Sequence, residues 1–322
     1  MRPNNKLKIE RCTAEAALAL WQQSSTTTIF THPTVLAKLV QRVDWWLATD
    51  NRVPVCAWPI CLNAENIAVV PPFSYYVGPF WTDAALSASP RGRLLADVSV
   101  HQGFLRCLLP EYKNLQFSLQ PGMTDVRSFL WFPEQSGLSA RVNVRPRYSA
   151  CVSGLTNPAN VEVIDGFSSK RRSEVRFAER YGLENSNHCD YDTLARLYQT
   201  TMSGSNVELA ERLSALRALL ALVELGFGYV ITGRKLGEPD AGAASLVLVG
   251  KGRACYVIAV ADDHWRQQAF NPWMSHAAVS MAKKQGLDCF DFNGANTFDR
   301  GSDKHSFGAQ AQLYFDLGVS LT

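Results

Sequence analysis

Nothing in these 322 residues approaches the run of ~20 apolar side chains that a bilayer-spanning helix needs. The leading MRPNNKLKIERC has basic residues with no apolar segment behind them, so no export signal is expected and the expected location is the cytoplasm. The eight cysteines, at 12, 56, 61, 107, 151, 189, 255 and 289, form no CxxC pair and no zinc-like spacing, and the six histidines form no HxxxH or HExxH. Neither a metal site nor a disulfide framework is expected, and the thiols read as reduced, mostly buried small side chains. GxSxG, a Gly-Lys-Ser phosphate loop and GxGxxG after a strand are also missing, which removes the usual signatures of hydrolases, nucleoside triphosphatases and dinucleotide dehydrogenases. Nor is there an excess of one charge: 32 basic against 29 acidic residues leave +3, so any anionic ligand must be held locally.

What is present is 47% hydrophobic residues, enough for a sizeable core, on a length that favours two modest domains over one very large one. Helix signals at 14–22 and 33–42 precede apolar strands at 45–49 and 53–62. Three prolines then force an extended, aromatic-rich segment, Val69-Val70-Pro71-Pro72-Phe73-Ser74-Tyr75-Tyr76-Val77-Gly78-Pro79-Phe80. A helix over 86–108 and a strand over 114–119 follow, and this alternation marks an α/β layer structure, α+β with a mixed sheet.

The turn and helix-start signal Thr156-Asn157-Pro158 puts the domain boundary near 150, giving domains 1–150 and 151–322. The second half reads as a charged helix (161–181), helices from 191 and over 208–225, and an antiparallel meander of apolar runs at 229–233, 243–249 and 254–260. Then come a helix over 271–285, a strand over 287–292, a polar loop to Gly308 and a final strand over 312–319.

Two stretches carry a resemblance. Phe167-Ser168-Ser169-Lys170-Arg171-Arg172-Ser173-Glu174-Val175-Arg176-Phe177-Ala178, and Asp291-Phe292-Asn293-Gly294 with Lys304-His305-Ser306-Phe307-Gly308, are similar to motifs of the Fem family of aminoacyltransferases within the GNAT class of N-acyltransferases. The similarity runs from about 152 to 318 and continues more weakly into the Pro-Pro-Phe-Ser-Tyr-Tyr-Val-Gly-Pro segment. It implies two tandem GNAT-like domains with an acceptor cleft between them, the last strand being able to cross back to the first domain. It also implies that a Lys-x-x-Phe-Gly element, here Lys304, Phe307 and Gly308, lines that cleft. Asp303 stands where the family usually has Phe, which points to a different substrate.

Acyl transfer to an amine needs a free nucleophile, a stabilised oxyanion and a donor held in line, none of which requires a metal or a covalent intermediate. Lys304 is the candidate to neutralise the oxyanion or a donor phosphate. Asp291 alternates to the face opposite Phe290 and Phe292, where it either serves as base or caps the following turn. Asn293, Asn296 and Arg300 share the adjoining loop and are candidate substrate contacts, or are simply solvated. Lys170, Arg171 and Arg172 begin the densest positive patch, suited to phosphate oxygens, or form the outer face of a charged helix. Tyr75 and Tyr76 either reach the cleft or seal a domain face. The stretch Arg266 to Asn271, where an acetyl-coenzyme A enzyme would place a glycine-rich pyrophosphate loop, has no glycine, which counts against coenzyme A.

The expected activity is therefore transfer of an acyl or aminoacyl group onto an amine of a small-molecule, peptide or sugar acceptor such as a cell-wall precursor. No tightly bound cofactor is expected; the donor, aminoacyl-tRNA or acyl-coenzyme A, is a co-substrate, which makes tRNA a candidate partner. Two rivals stay open: a coenzyme A-dependent acyltransferase acting in polysaccharide assembly, and a GNAT-shaped binding protein without catalysis.

Overall fold

Alternating and fully apolar β runs pair with their nearest neighbours in sequence, and this builds the first sheet. In the computed structural model, which describes residues 7–86, 89–158, 162–203, 209–262, 265 and 270–322, β1 (Leu7–Cys12), β2 (Arg42–Asp50), β3 (Val53–Leu62) and β4 (Phe80–Trp81) lie side by side in that order, all antiparallel. α1 (Ala14–Gln22) starts where the Thr13 hydroxyl accepts from the Ala16 N–H, and α2 (Pro33–Leu39) starts on a proline. A short α3 (Asp83–Leu86) precedes α4 (Pro90–Tyr112), which runs later than the sequence suggests. Ser89 caps it through the Gly92 N–H, Pro90 fills its first turn, and Lys113, at φ 59°, ends it. β5 (Asn114–Ser118), α5 (Arg127–Leu130) and α6 (Phe132–Ser136) complete this part.

The chain then enters β6 (Ala140–Ser153), α7 (Ser169–Arg180), β7 (Leu183–Ser186), α8 (Tyr191–Met202), α9 (Leu209–Glu224), β8 (Gly228–Lys235), β9 (Ala243–Gly250) and β10 (Arg253–Ala261). α10 (Phe270–Lys284), β11 (Cys289–Asp291), α11 (Phe298–His305) and β12 (Gln310–Leu321) follow. The polar stretch before Gly308, expected as a loop, thus contains a helix. Thr297 starts it by accepting from the Arg300 N–H, a local cap that outweighs its low apolar content.

Two compact units result, Met1–Arg147 with Leu313–Thr322, and Tyr148–Gln312. In the first, β12 pairs antiparallel with β5 from Asp316↔Ser118 to Ser320↔Asn114, and Leu317 and Val319 join a core of Trp58, Phe104, Phe117 and Phe129. In the second, the strand order is β6-β11-β10-β9-β8-β7, antiparallel except for β10 and β11. A parallel neighbour needs a crossover, and α10 is that crossover. Its Phe270, Trp273, Met274, Ala278 and Val279 pack into a core with Tyr229, Phe290 and Phe292.

Candidate functional site

The parallel pair of the second unit is short. β10 and β11 stay in register only from Arg253↔Cys289 to Cys255↔Asp291. Beyond that, β10 follows β9, with an irregularity in register between Tyr256 and Ile258. The chain after β11 follows β6 instead: Phe292 N–H donates to the Ala150 carbonyl at 2.9 Å and Ala295 N–H to the Tyr148 carbonyl at 2.7 Å. The two strands therefore fork, and β10 beyond the fork is half-buried at Val257 and exposed at Ala259. A strand edge of this kind offers backbone N–H and C=O groups to an extended, amide-bearing chain.

Asn293 sits at the fork. It is 1% exposed and has φ 55°, the left-handed conformation that asparagine tolerates best after glycine. Its Nδ2 donates to the Tyr256 carbonyl at 2.9 Å, a bridge across the gap, whereas its Oδ1 has no hydrogen-bond partner among the described residues. A buried amide oxygen left in this state costs roughly 1–3 kcal/mol, so it is a natural place for a ligand donor.

Asp291 is the last residue of β11 and is fully buried. It accepts from the Ser149 hydroxyl, from the Asn293 N–H at 2.8 Å and from Arg253 Nη1 at 2.8 Å. Arg253 also reaches Gln312 Oε1 at 3.0 Å and Cys151 Sγ at 3.6 Å. Burial works against the arginine charge, but Asp291 and the thiols of Cys289 and Cys151 raise its pKa above the ordinary value. The carboxylate is thus neutralised and fully engaged, the turn-capping alternative of the two sequence readings.

Lys304 lies on α11, and its ammonium donates to the carbonyls of Phe292 at 2.9 Å, Gly294 at 2.7 Å and Asn293. An ammonium has three hydrogens, and all three are used here. Burial lowers its pKa to about 8, while Asp291 pulls the other way. The residue expected to face a substrate anion instead closes the turn that follows β11.

The rest of the Lys-x-x-Phe-Gly element is also a clasp. Phe307, expected in a cleft, is 2% exposed, stacks on Phe292 and meets Phe167 edge-to-face. Gly308 has φ 79°, and a Cβ there would lie 2.5 Å from the Gly166 carbonyl oxygen, so only glycine fits. Arg171 pairs with Asp303 and Glu174 and lies over the Phe307 ring. Asp303 thus has a partner in Arg171 within this chain. Arg172 donates to the Phe167 carbonyl at 2.6 Å, and Lys170, 80% exposed, lies 3.9 Å from the Glu174 carboxylate. Asn296 accepts from the Tyr148 N–H at 2.7 Å, and Arg300 is exposed on α11. Residues 266–269, the bulk of the glycine-free stretch, lie outside the described residues.

In the first unit, Tyr76 is buried and meets Tyr314 edge-to-face at 5.0 Å, a packing role. Tyr75 lines a cavity of about 370 Å³ with Ser74, Gln116, Arg145, Arg147 and Asp316. Phe73 and Tyr76 both hold positive φ, 59° and 55°, conformations that bulky residues seldom adopt.

Sequence reasoning missed Arg253, Ser149 and Tyr256. A signal existed for the first: an arginine opening an otherwise apolar strand, and an aspartate inside the apolar run Leu287–Phe292, are charges that must be paired if both strands are central. No group of three or more His, Cys, Asp or Glu suited to a metal occurs among the described residues, and all eight cysteines are free. No helix among the described residues is long and apolar enough to cross a membrane.

Comparison with known proteins agrees with this topology. Residues 168–301 match the family model described as an acetyltransferase (GNAT) domain. Among solved structures, the crystal structure of FemX superposes with a TM-score of 0.67 at 12% identity, covering 96% of each chain. A tandem GNAT protein from the clavulanic acid biosynthesis pathway gives 0.58 at 10% identity over 98% of each chain. The L-PGS of Bacillus licheniformis gives 0.55 at 10% identity, covering 94% of this chain and 90% of its own. No curated protein matches the sequence. The fold is the tandem GNAT fold.

Proposed function

We propose that the protein is an acyltransferase that moves an acyl or aminoacyl group from an activated carrier directly onto an amine, with the carrier's arm lying in the fork between β10 and β11, a reading supported by the GNAT domain match and the tandem GNAT fold. The observation that carries this reading is the fork itself: a parallel pair that parts at Cys255 and Asp291, with the orphaned Asn293 Oδ1 at its origin. An arm with amide or hydroxyl groups can bond the open edge of β10 and give Asn293 a donor, and such pairing fixes the reactive carbonyl in position. The chemistry needs no covalent enzyme intermediate, because an activated acyl carbonyl held in line is attacked by the amine itself.

Lys304 and Asp291 act here as positioning residues. By holding the carbonyls of 292–294 and the Asn293 N–H, they fix the left-handed turn that aims Asn293 at the fork. The resemblance of residues 152–318 to the Fem family favours aminoacyl-tRNA as the donor and a peptide or amino-sugar amine as the acceptor. Coenzyme A is the second reading, favoured by the fork, which suits a pantetheine arm, and by the acetyltransferase domain match.

The test is product formation from labelled acyl-coenzyme A and from charged tRNA, each with a panel of primary amines, for the wild type and for Asn293→Gly. Glycine keeps the positive φ and removes only the amide, so folding should persist. The variant is expected to lose about 10- to 1,000-fold in turnover, the range for one well-placed polar contact. Equal activity of the variant and the wild type would refute the assignment of the fork.

A further inference from the structure

The first unit holds a second polar cavity that acyl transfer does not account for. It measures about 310 Å³, near the lower bound for small-molecule sites, and is walled by Trp81, Arg93, Asp97 and His101, with Met123 and Leu86 on an apolar side. Four atoms on four of these side chains are buried without a hydrogen-bond partner among the described residues: Trp81 Nε1, Arg93 Nη1, Asp97 Oδ1 and His101 Nε2. Native structures leave few such atoms, and four in one cavity point to a ligand that meets them.

Each side chain is held rigidly for that purpose. His101 is 1% exposed, bonds the Ser128 hydroxyl through Nδ1 at 2.8 Å and stacks on Phe129 at 4.6 Å. Burial, aided by the Arg93 charge, pushes its pKa down to about 3, so the ring is neutral. Arg93 lies over the Trp81 ring at 4.4 Å and donates from Nε to Asp97 Oδ2 at 3.0 Å. Asp97 Oδ1 is 2.9 Å from Arg93 Nη2, close enough for an ion pair but not aligned for a hydrogen bond.

The charges in the cavity cancel. Arg93 pairs with Asp97, His101 is neutral, and Asp125, also on the wall, is held by Arg127. A free anion would face two carboxylates and a free cation an arginine. What remains unmet is two N–H donors, on Trp81 and Arg93, the Asp97 acceptor, and a His101 nitrogen that donates or accepts according to its tautomer, all beside an apolar surface. Hydroxyl groups, each able to donate and accept, match that mixture.

We propose that this cavity binds an uncharged, hydroxylated ligand of about monosaccharide size, its hydroxyls bridging Asp97 Oδ1 to the Trp81 and Arg93 donors. The site stands apart from the acyl-transfer reading and holds whether or not the fork binds a carrier. The test uses the full-length protein labelled with ¹⁵N, in which the indole N–H signal of Trp81 is assigned by its loss in Trp81→Phe. D-glucose, D-ribose, N-acetyl-D-glucosamine and glycerol are titrated as neutral probes, with acetate and inorganic phosphate as anionic ones. At least one neutral sugar should shift the Trp81 signal saturably, and Asp97→Asn should weaken that binding by about 10- to 100-fold while circular dichroism stays unchanged. Shifts by acetate or phosphate alone would overturn the proposal in favour of an anion site. A Trp81 signal that no probe moves would overturn it by leaving water as the partner of the four atoms, and because the wild type supplies this readout, a poorly folding variant cannot obscure it.

Discussion

Replacing Lys304 with Met is the sharpest test of the assignment of that lysine as a clasp. Methionine keeps most of the apolar stem and removes the ammonium, leaving the carbonyls of Phe292, Asn293 and Gly294 without their shared donor. Each bond to a charged group contributes about 1.5–3 kcal/mol in isolation, but the three share one group and water can re-enter at a half-buried side chain, so the expected loss is about 2–4 kcal/mol. For a unit of this size, ~1 kcal/mol moves the melting point by about 2–4 °C, which predicts a fall of roughly 4–16 °C. Differential scanning calorimetry on the full chain measures it, with circular dichroism to show that the folded state is kept. A variant that melts with the wild type while losing turnover would refute the clasp and return Lys304 to the chemical step.

The same lysine gives a pH signature. Its folded pKa of about 8 lies below the ordinary 10.5, so between those values the folded chain has released a proton that the unfolded chain still binds. Stability contributed by Lys304 therefore rises with pH across that window, and the gap in melting temperature between wild type and Lys304→Met should widen from pH 8 to 10. Gly308→Ala should destabilise by about 1–3 kcal/mol, because it combines a positive φ with a contact on the Gly166 carbonyl, as a denaturant titration would show. Arg253→Met should cost about 3–5 kcal/mol by stranding the buried Asp291 charge, and the double variant Arg253→Met, Asp291→Leu should recover part of it in the same titration. Cys289 should be the first thiol alkylated by iodoacetamide as the pH is raised, since hydrogen bonding from Cys151 and then the Arg253 charge lower its pKa while burial raises those of Cys12, Cys107 and Cys189. Peptide mapping of the labelled protein identifies which thiol reacts.

Much of the fold was legible because its signals are local. The meander of β8 to β10 follows from three apolar runs parted by turns, and α10 from a stripe that ends in Lys283, Lys284 and Gly286. α11 was not legible, since its residues Phe298–His305 have little apolar periodicity and its start depends on the single cap at Thr297. The candidate site was readable in position but not in role. Asp291, Asn293 and Lys304 do gather at the end of β11, yet whether a charged side chain faces a ligand or its own backbone depends on where the chain turns in three dimensions. The carbonyls that hold Lys304 lie 10 to 12 residues before it, in a turn set by the left-handed Asn293. Likewise, Arg171 read as part of a phosphate-binding patch because its partner Asp303 is 132 residues away, and only the fold brings the two together.

The central claim, that an acyl carrier lies along β10 beyond its fork with β11, is tested most directly by hydrogen exchange. Amides of Tyr256 to Val260 that do not face β9 should exchange freely in the protein alone and slow when the carrier adds its own hydrogen bonds. Coenzyme A thioesters and charged tRNA are added separately, so the carrier that protects this segment is identified as the donor. The account predicts protection centred on 256–260 and on Asn293 with one of the two. Protection by neither, or protection confined to other strands, would contradict it.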